Sequence, residues 1–358
     1  ISPDGDTIAF AWSGDVWTAP VTGGGATRLT THGAEDERPR WSPDGETLYF
    51  QSNRSGRPQI WAAQVDRSAA PRQVTFDSVA KRLLHVTADG ESLVVRRRSD
   101  RGWHYSERER LILVDPDGES APRMLFDAGA MDGAVAPDGK SVAFCRGRSA
   151  WFRKGYEGPQ ASQLWRCVFD DGDVILERLD ADRERYQNVA AMDPMWADGG
   201  RSLWYTSDPE GVFDLFRMEM ESGEVERITN VGADGSDDGV AFPSMSADGR
   251  TVLFRRGFDL SVLDVRTGEV AGIELHAASD SAAQAIENVQ TERAVEGCFT
   301  PDGKQMAFVA GNDVWTMDRV LKEPRRVTDN AHVEGSLAFS ADGQRLFYTS
   351  DAAGEVDV

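Results

Sequence analysis

Apolar residues in this chain fall in short stretches separated by tight polar turns, and one arrangement is written repeatedly. Its clearest copy runs Trp41-Ser42-Pro43-Asp44-Gly45-Glu46-Thr47-Leu48-Tyr49-Phe50. Pro43 presets φ at the second position of a type I turn, and Gly45 takes the left-handed conformation that closes it. The apolar stretches on either side then read as two antiparallel strands of a hairpin. The same box ends in Asp-Gly at Asp4, Asp44, Asp89, Asp138, Asp198, Asp248, Asp302 and Asp342, with Pro or Ala before the Asp. Successive gaps of 40, 45, 49, 60, 50, 54 and 40 residues match propeller blades of roughly 40–50 residues plus insertions.

Each hairpin is followed by a second signature. Asp15-Val16-Trp17, Gln59-Ile60-Trp61, Gln163-Leu164-Trp165, Asp214-Leu215-Phe216 and Asp313-Val314-Trp315 place an aromatic in a third strand. A fourth strand ends in Arg28-Leu29-Thr30, Gln73-Val74-Thr75, Arg227-Ile228-Thr229 or Arg326-Val327-Thr328. Four strands per repeat, with no amphipathic helix between them, predict an all-β fold of propeller blades. Residues 1–275 are expected to form a six-bladed β-propeller of four antiparallel strands per blade. Residues 276–294, rich in Ala, Ser, Asp and Gln and without a strand pattern, read as a linker. Residues 295–358 read as the first one and a half blades of a second propeller. The rival arrangement is a single ring of seven or eight blades with the linker as a long loop, and such loops are uncommon inside compact rings.

Composition alters this picture at few points. Thirty-nine Lys and Arg against 60 Asp and Glu give a net charge of −21 over 358 residues, a surface that repels nucleic acid and anionic lipid, so neither is expected as a partner. Cys145, Cys167 and Cys298 are too few and too scattered for a disulfide framework or a zinc site. No apolar run approaches the ~18 residues of a membrane helix. The chain opens at Ile1 and stops at Val358 inside stretches that read as strands, so it is expected to be a piece of a longer protein whose targeting signal lies elsewhere.

The combination of Trp-Ser-Pro-Asp-Gly, Leu-Tyr-Phe, Ser52-Asn53-Arg54-Ser55-Gly56, Gln-Ile-Trp and Gln-Val-Thr resembles TolB-type, WD-repeat-like propeller repeats. The layout of six blades, a linker, and a new start at Val295-Glu296-Gly297-Cys298-Phe299-Thr300-Pro301-Asp302-Gly303 looks like the amino-terminal half of the tricorn protease family. That resemblance implies a non-catalytic propeller that handles or channels peptides for a serine-peptidase domain outside this chain. It also implies peptides or unfolded polypeptide, other domains of the same chain and a homo-oligomer as partners, and a cytoplasmic address. The alternative is a TolB-type propeller, a periplasmic protein-interaction module with no enzymatic domain. A third, weaker alternative is the propeller of another multidomain hydrolase.

No catalytic constellation is expected in this chain, and no cofactor or metal. A Gly-x-Ser-x-Gly elbow is missing, and the five histidines have no ligand spacing. The segment Gly232–Gly239 fails calcium-loop spacing and reads as a solvated turn. The basic insertions are the exception in an acidic chain. Arg96, Arg97 and Arg98 stand together between the second and third strands of the third repeat, and Trp151 and Arg153 lie in the matching insertion of the fourth. Both insertions are expected on one face of the ring, with Arg96 and Arg97 solvent-facing and unpaired. Clustered Arg suits a carboxylate. By resemblance to the tricorn arginine pair, Arg96-Arg97-Arg98 is the candidate anchor for a peptide carboxyl end. The competing role is ion pairing to nearby Asp and Glu.

Overall fold

The short strands between the Asp-Gly turns assemble sheet by sheet. The computed structural model describes the chain except residues 78, 80, 99–108, 148–151, 157, 159, 181–189, 236–237, 278–293, 321–323, 331 and 358. It divides into two units, Ile1–Ser281 and Ala282–Val358. Most of the segment read as a linker lies outside the described residues. The described helix is confined to two short 3-10 turns, Asp198–Gly200 and Val231–Asp234. The latter opens the segment read as a solvated turn, and among the described residues no cluster of metal-ligating side chains forms.

In the first unit, five antiparallel sheets each take four consecutive strands. The second sheet holds Asp36–Trp41, Thr47–Ser52, Gln59–Gln64 and Arg72–Gln73; the third holds Lys81–Val86, Leu93–Arg98, Glu109–Val114 and Arg123–Met124. The fourth holds Asp132–Val135, Ser141–Arg146, Gln163–Asp170 and Asp173–Arg178. The fifth runs from Ala191–Ala197 through Ser202–Ser207 and Asp214–Glu219 to Val225–Arg227. The sixth runs from Val240–Met245 through Thr251–Arg256 and Asp259–Asp264 to Val270–Ile273. These are propeller blades.

The first sheet departs from the four-strand expectation. Residues 1–29 supply Thr7–Trp12, Asp15–Pro20 and Gly24–Arg28, and the fourth strand is Leu275–Ala277, pairing parallel to Gly24–Ala26. Sheet pairing thus continues two residues past position 275. The sixth sheet also meets the first directly: Ala247 N–H donates to Pro3 O at 3.0 Å, and Ile1, Ile8 and Ala19 pack with Leu253. The second unit has one four-stranded sheet (Glu296–Phe299, Gln305–Ala310, Asp313–Asp318, Pro324–Arg326) and a two-stranded sheet (Glu334–Phe339, Leu346–Ser350).

The signatures have identifiable jobs. In the box, the first-position hydroxyl organises the turn: Ser42 Oγ accepts the Thr47 N–H at 2.9 Å and donates to Asp44, which also accepts the Glu46 N–H at 2.9 Å. These bonds, the Ser42 hydroxyl first, hold the Asp44 carboxyl below its usual range. The same pattern recurs at Ser2, Thr87, Ser246, Thr300 and Ser340. The third-strand aromatics stand opposite second-strand aromatics in five sheets: Phe10 with Trp17, Phe50 with Trp61, Phe144 with Trp165, Tyr205 with Phe216, and Phe308 with Trp315. Cross-strand aromatic pairs are a standard source of sheet stability. The Thr that ends the fourth-strand motif accepts a third-strand N–H, as Thr229 Oγ1 does from Leu215 at 2.9 Å, and donates to buried Asp214 at 2.7 Å. Apolar cores then form between neighbouring sheets, as where Ile60 and Ala62 meet Leu83, Leu93 and Val95.

Candidate functional site

The first strands of the second to sixth sheets lie next to one another around the ring, so their side chains line its central channel. Three of these strands carry a bulge at an X-Pro pair: Arg38-Pro39, Asp193-Pro194 and Phe242-Pro243. At each bulge two residues face one on the partner strand, so the proline's missing N–H costs no ladder bond. The residue before the proline takes a left-handed φ, +55° at Arg38, +52° at Asp193 and +55° at Phe242. Non-glycine residues adopt that region rarely, and it gathers at functional sites.

Arg38, Arg40 and Arg82 come from the second and third sheets, Asp132 from the fourth and Asp193 from the fifth. All five side chains are partly solvent-exposed, yet Arg38, Arg40 and Asp193 are desolvated enough to shift their ionisation, as in a narrow channel wall. Arg40 is fixed by bonds from Nε to Leu84 O at 2.7 Å and from Nη1 to Pro39 O at 3.1 Å. Burial and then neighbouring Arg82 lower Arg38 to about 10, leaving it cationic at neutral pH. Burial, followed by the charge of Asp132, raises Asp193 to about 7 despite a 3.2 Å bond from Thr206 Oγ1 and the fields of Arg40 and Arg82. Desolvation and Arg40 push His85 down to about 4, so it is neutral. Near neutral pH the lining therefore holds three guanidiniums against Asp132, Glu37 beside Arg38, and a partly protonated Asp193. That excess of positive charge stands inside a chain of net charge −21. Phe242 sits beneath two cations, 4.9 Å from Arg255 and 5.9 Å from Arg38, a contact worth roughly 0.5–2 kcal/mol.

The arginine triplet does not sit on a loop. Arg96, Arg97 and Arg98 end strand Leu93–Arg98, and strand alternation sends neighbours to opposite faces. Arg96 reaches the channel wall: Nη1 donates to Met131 O at 2.9 Å and Nε lies 3.6 Å from Glu109. Arg97 points the other way, Nε 3.9 Å from Asp77. The expectation of two unpaired, solvent-facing guanidiniums is therefore corrected, because both have acidic neighbours. Arg98 is exposed. Arg153 stacks over Tyr156, 3.6 Å from the ring centroid. Trp151 lies outside the described residues. The channel residues escaped the sequence reading because the X-Pro pairs just upstream of the boxes were not read as bulges.

Comparison with known proteins agrees with this architecture. Residues 2–269 match the family profile described as the tricorn protease N-terminal beta propeller domain. Tricorn protease homolog 1 of Streptomyces coelicolor is 29% identical over 264 residues, covering 73% of this chain and 23% of that protein. An uncharacterized protein of Agrobacterium fabrum is 32% identical over 156 residues, 40% of this chain and 53% of its own length. The chain thus spans about a quarter to a half of these curated relatives. Among solved structures, the tricorn protease crystal structure superposes with a TM-score of 0.60 at 16% identity, covering 97% of this chain and 36% of that one. TolB from Acinetobacter baumannii gives 0.55 at 16% identity, covering 74% and 62%. With the profile spanning three quarters of its length, this chain belongs to the tricorn protease N-terminal β-propeller family.

Proposed function

We propose that this chain is the non-catalytic propeller region of a tricorn-like serine peptidase, passing peptides along its central channel to or from a catalytic domain beyond the described sequence. In this reading residues 1–275 act as one six-bladed ring, 276–294 as a connector and 295–358 as the opening of a second propeller. The observation that carries it is the channel lining, where Arg38, Arg40 and Arg82 outweigh Asp132 and Asp193. Arginine holds a backbone carbonyl or carboxylate through several donors at once, and a cationic channel raises the local concentration of anionic segments.

The test is fluorescence anisotropy of labelled unstructured peptides of net charge −3, 0 and +3 (roughly one Debye length long at 0.1 M salt). The acidic peptide is expected to bind best, and replacing Arg38 with Gln should weaken it by about fivefold or more. Added salt should narrow the difference. Equal binding of the three peptides, or binding indifferent to Arg38→Gln, would remove the channel role. Incubation with the chain alone should leave every peptide uncut.

A further inference from the structure

Arg97, turned away from the channel, borders a different feature. At one end of the second sheet lies an open cleft of about 520 Å³, lined in part by Ser55, Arg57, Gln59, Gln73, Phe76 and Asp77. Its floor is held by side-chain amides. Gln59 Nε2 donates to the carbonyls of Asp77 at 3.0 Å and Val79 at 3.1 Å. Gln73 Nε2 donates to Thr75 O at 2.6 Å and Ser55 Oγ at 3.3 Å. The Lys81 N–H reaches Pro58 O at 2.9 Å, joining the cleft to the third sheet.

The charges in the cleft are unevenly matched. Asp77 is neutralised by the buried Lys81 ammonium and faces Arg97 at 3.9 Å. Arg57 is exposed and, among the described residues, makes no ion pair, hydrogen bond or ring contact. Arg54, three residues earlier, shows the alternative. Its guanidinium pairs with Asp36 at 2.5 Å and lies 5.2 Å from the Phe50 ring and 5.1 Å from the Trp61 ring, a structural role. Beside Arg57, Phe76 is 75% exposed. An open phenyl ring next to a free guanidinium, over a preorganised floor with surplus positive charge, is how a site for an amphiphilic anion is built.

We propose that this cleft binds an extended polypeptide segment carrying an apolar side chain next to an acidic residue. The apolar side chain lies against Phe76, and the carboxylate meets Arg57, with Arg97 adding to the field. A cleft of this size admits two or three side chains, not a folded surface. The proposal rests on the peptide-handling reading and names the segment that this end of the ring would take.

The experiment uses the 358-residue protein and two dye-labelled hexapeptides blocked at both ends, Gly-Ser-Leu-Glu-Ser-Gly and the same sequence with Gln for Glu. Anisotropy titrations are run on wild type, Arg57→Gln, Phe76→Ser and Arg38→Gln, each first checked for an unchanged melting transition. The Glu peptide is expected to bind wild type about fivefold to tenfold tighter than the Gln peptide, a difference typical of one charge-assisted bond. Arg57→Gln should erase that preference, and Phe76→Ser should weaken both peptides. Arg38→Gln should leave the preference intact. A preference that survives Arg57→Gln overturns the cleft proposal, as does failure of wild type to bind either peptide at millimolar concentration. If the preference vanishes with Arg38→Gln but not with Arg57→Gln, the cleft falls and the channel reading stands. The reverse result, the expected one, supports the cleft and leaves the channel role to the charge series of peptides, where Arg38→Gln decides it.

Discussion

Asp193 concentrates several unusual properties in one residue. It occupies a left-handed backbone conformation at a bulge, and burial beside Asp132 raises its carboxyl to about 7. A carboxylic acid whose folded pKa lies above its unfolded value favours folding below the unfolded pKa and forfeits that benefit as pH climbs through the folded one. The window here runs from about 4 to about 7. Asp193→Asn keeps the side-chain size and an acceptor for the Thr206 hydroxyl, but carries no charge. It should therefore melt above wild type at pH 8 and lose that advantage by pH 4. Melting curves across this range check the expectation, and an advantage that is constant with pH would mean that Asp193 titrates normally. Little of this was visible in the sequence. An Asp before a Pro reads as a turn, and only the pairing register turns Arg38, Asp193 and Phe242 into channel residues. Arg96 stood out in the sequence only as one of three adjacent cations. Its place on a strand with a paired guanidinium depends on Glu109 and Met131, which no local pattern brings near it.

At the scale of the strand and the turn, sequence and structure correspond closely. Box spacing, third-strand aromatics and fourth-strand Thr motifs are local, and each forms a local contact, so reading them in order recovers nearly every sheet. Their chemistry also yields a prediction. Thr229→Val preserves shape but strips the Leu215 N–H of its acceptor and buried Asp214 of a donor. A loss of about 1–3 kcal/mol is expected, mainly from leaving the buried Leu215 N–H unsatisfied, since Asp214 keeps its bonds from Val231 and Arg227. Urea denaturation measures it, and a change under ~0.5 kcal/mol would show that the motif is decorative. The fifth box corrects one reading. A Cβ on Gly45 would lie 3.8 Å from Pro3 Cδ of the preceding box, one on Gly90 3.5 Å from Pro43, and one on Gly200 3.8 Å from Pro137. In the fifth sheet the residue that packs on its neighbour's turn is thus Gly200, one position beyond the Asp198-Gly199 of the sequence motif.

How the ring of the first unit closes is a property of the whole molecule, and the repeat pattern carries no trace of it. Leu275-His276-Ala277 resembles no box or motif; it becomes a strand because the first sheet leaves the outer edge of Gly24–Arg28 open. The junction turns on Gly23. Its φ is +88°, and a Cβ there would sit 2.7 Å from Glu274 O, the carbonyl that accepts the Gly24 N–H at 2.8 Å. Gly14 is the matched control, with φ +83° and nothing within 4 Å of an added Cβ. Both Gly→Ala variants incur the left-handed strain of about 1–2 kcal/mol. Gly23→Ala should lose more, by about one backbone hydrogen bond or ~1 kcal/mol, because the Glu274 carbonyl must move away. Hydrogen exchange separates the two effects. In Gly23→Ala the amides of His276 and Ala277 should exchange faster than in wild type while those of the fourth sheet keep their protection, and in Gly14→Ala they should not change. Equal exchange at His276 and Ala277 in the two variants would mean that the Leu275–Ala277 strand does not depend on this contact, and that the packing of Ile1 and Ile8 against Leu253 holds the ring shut by itself.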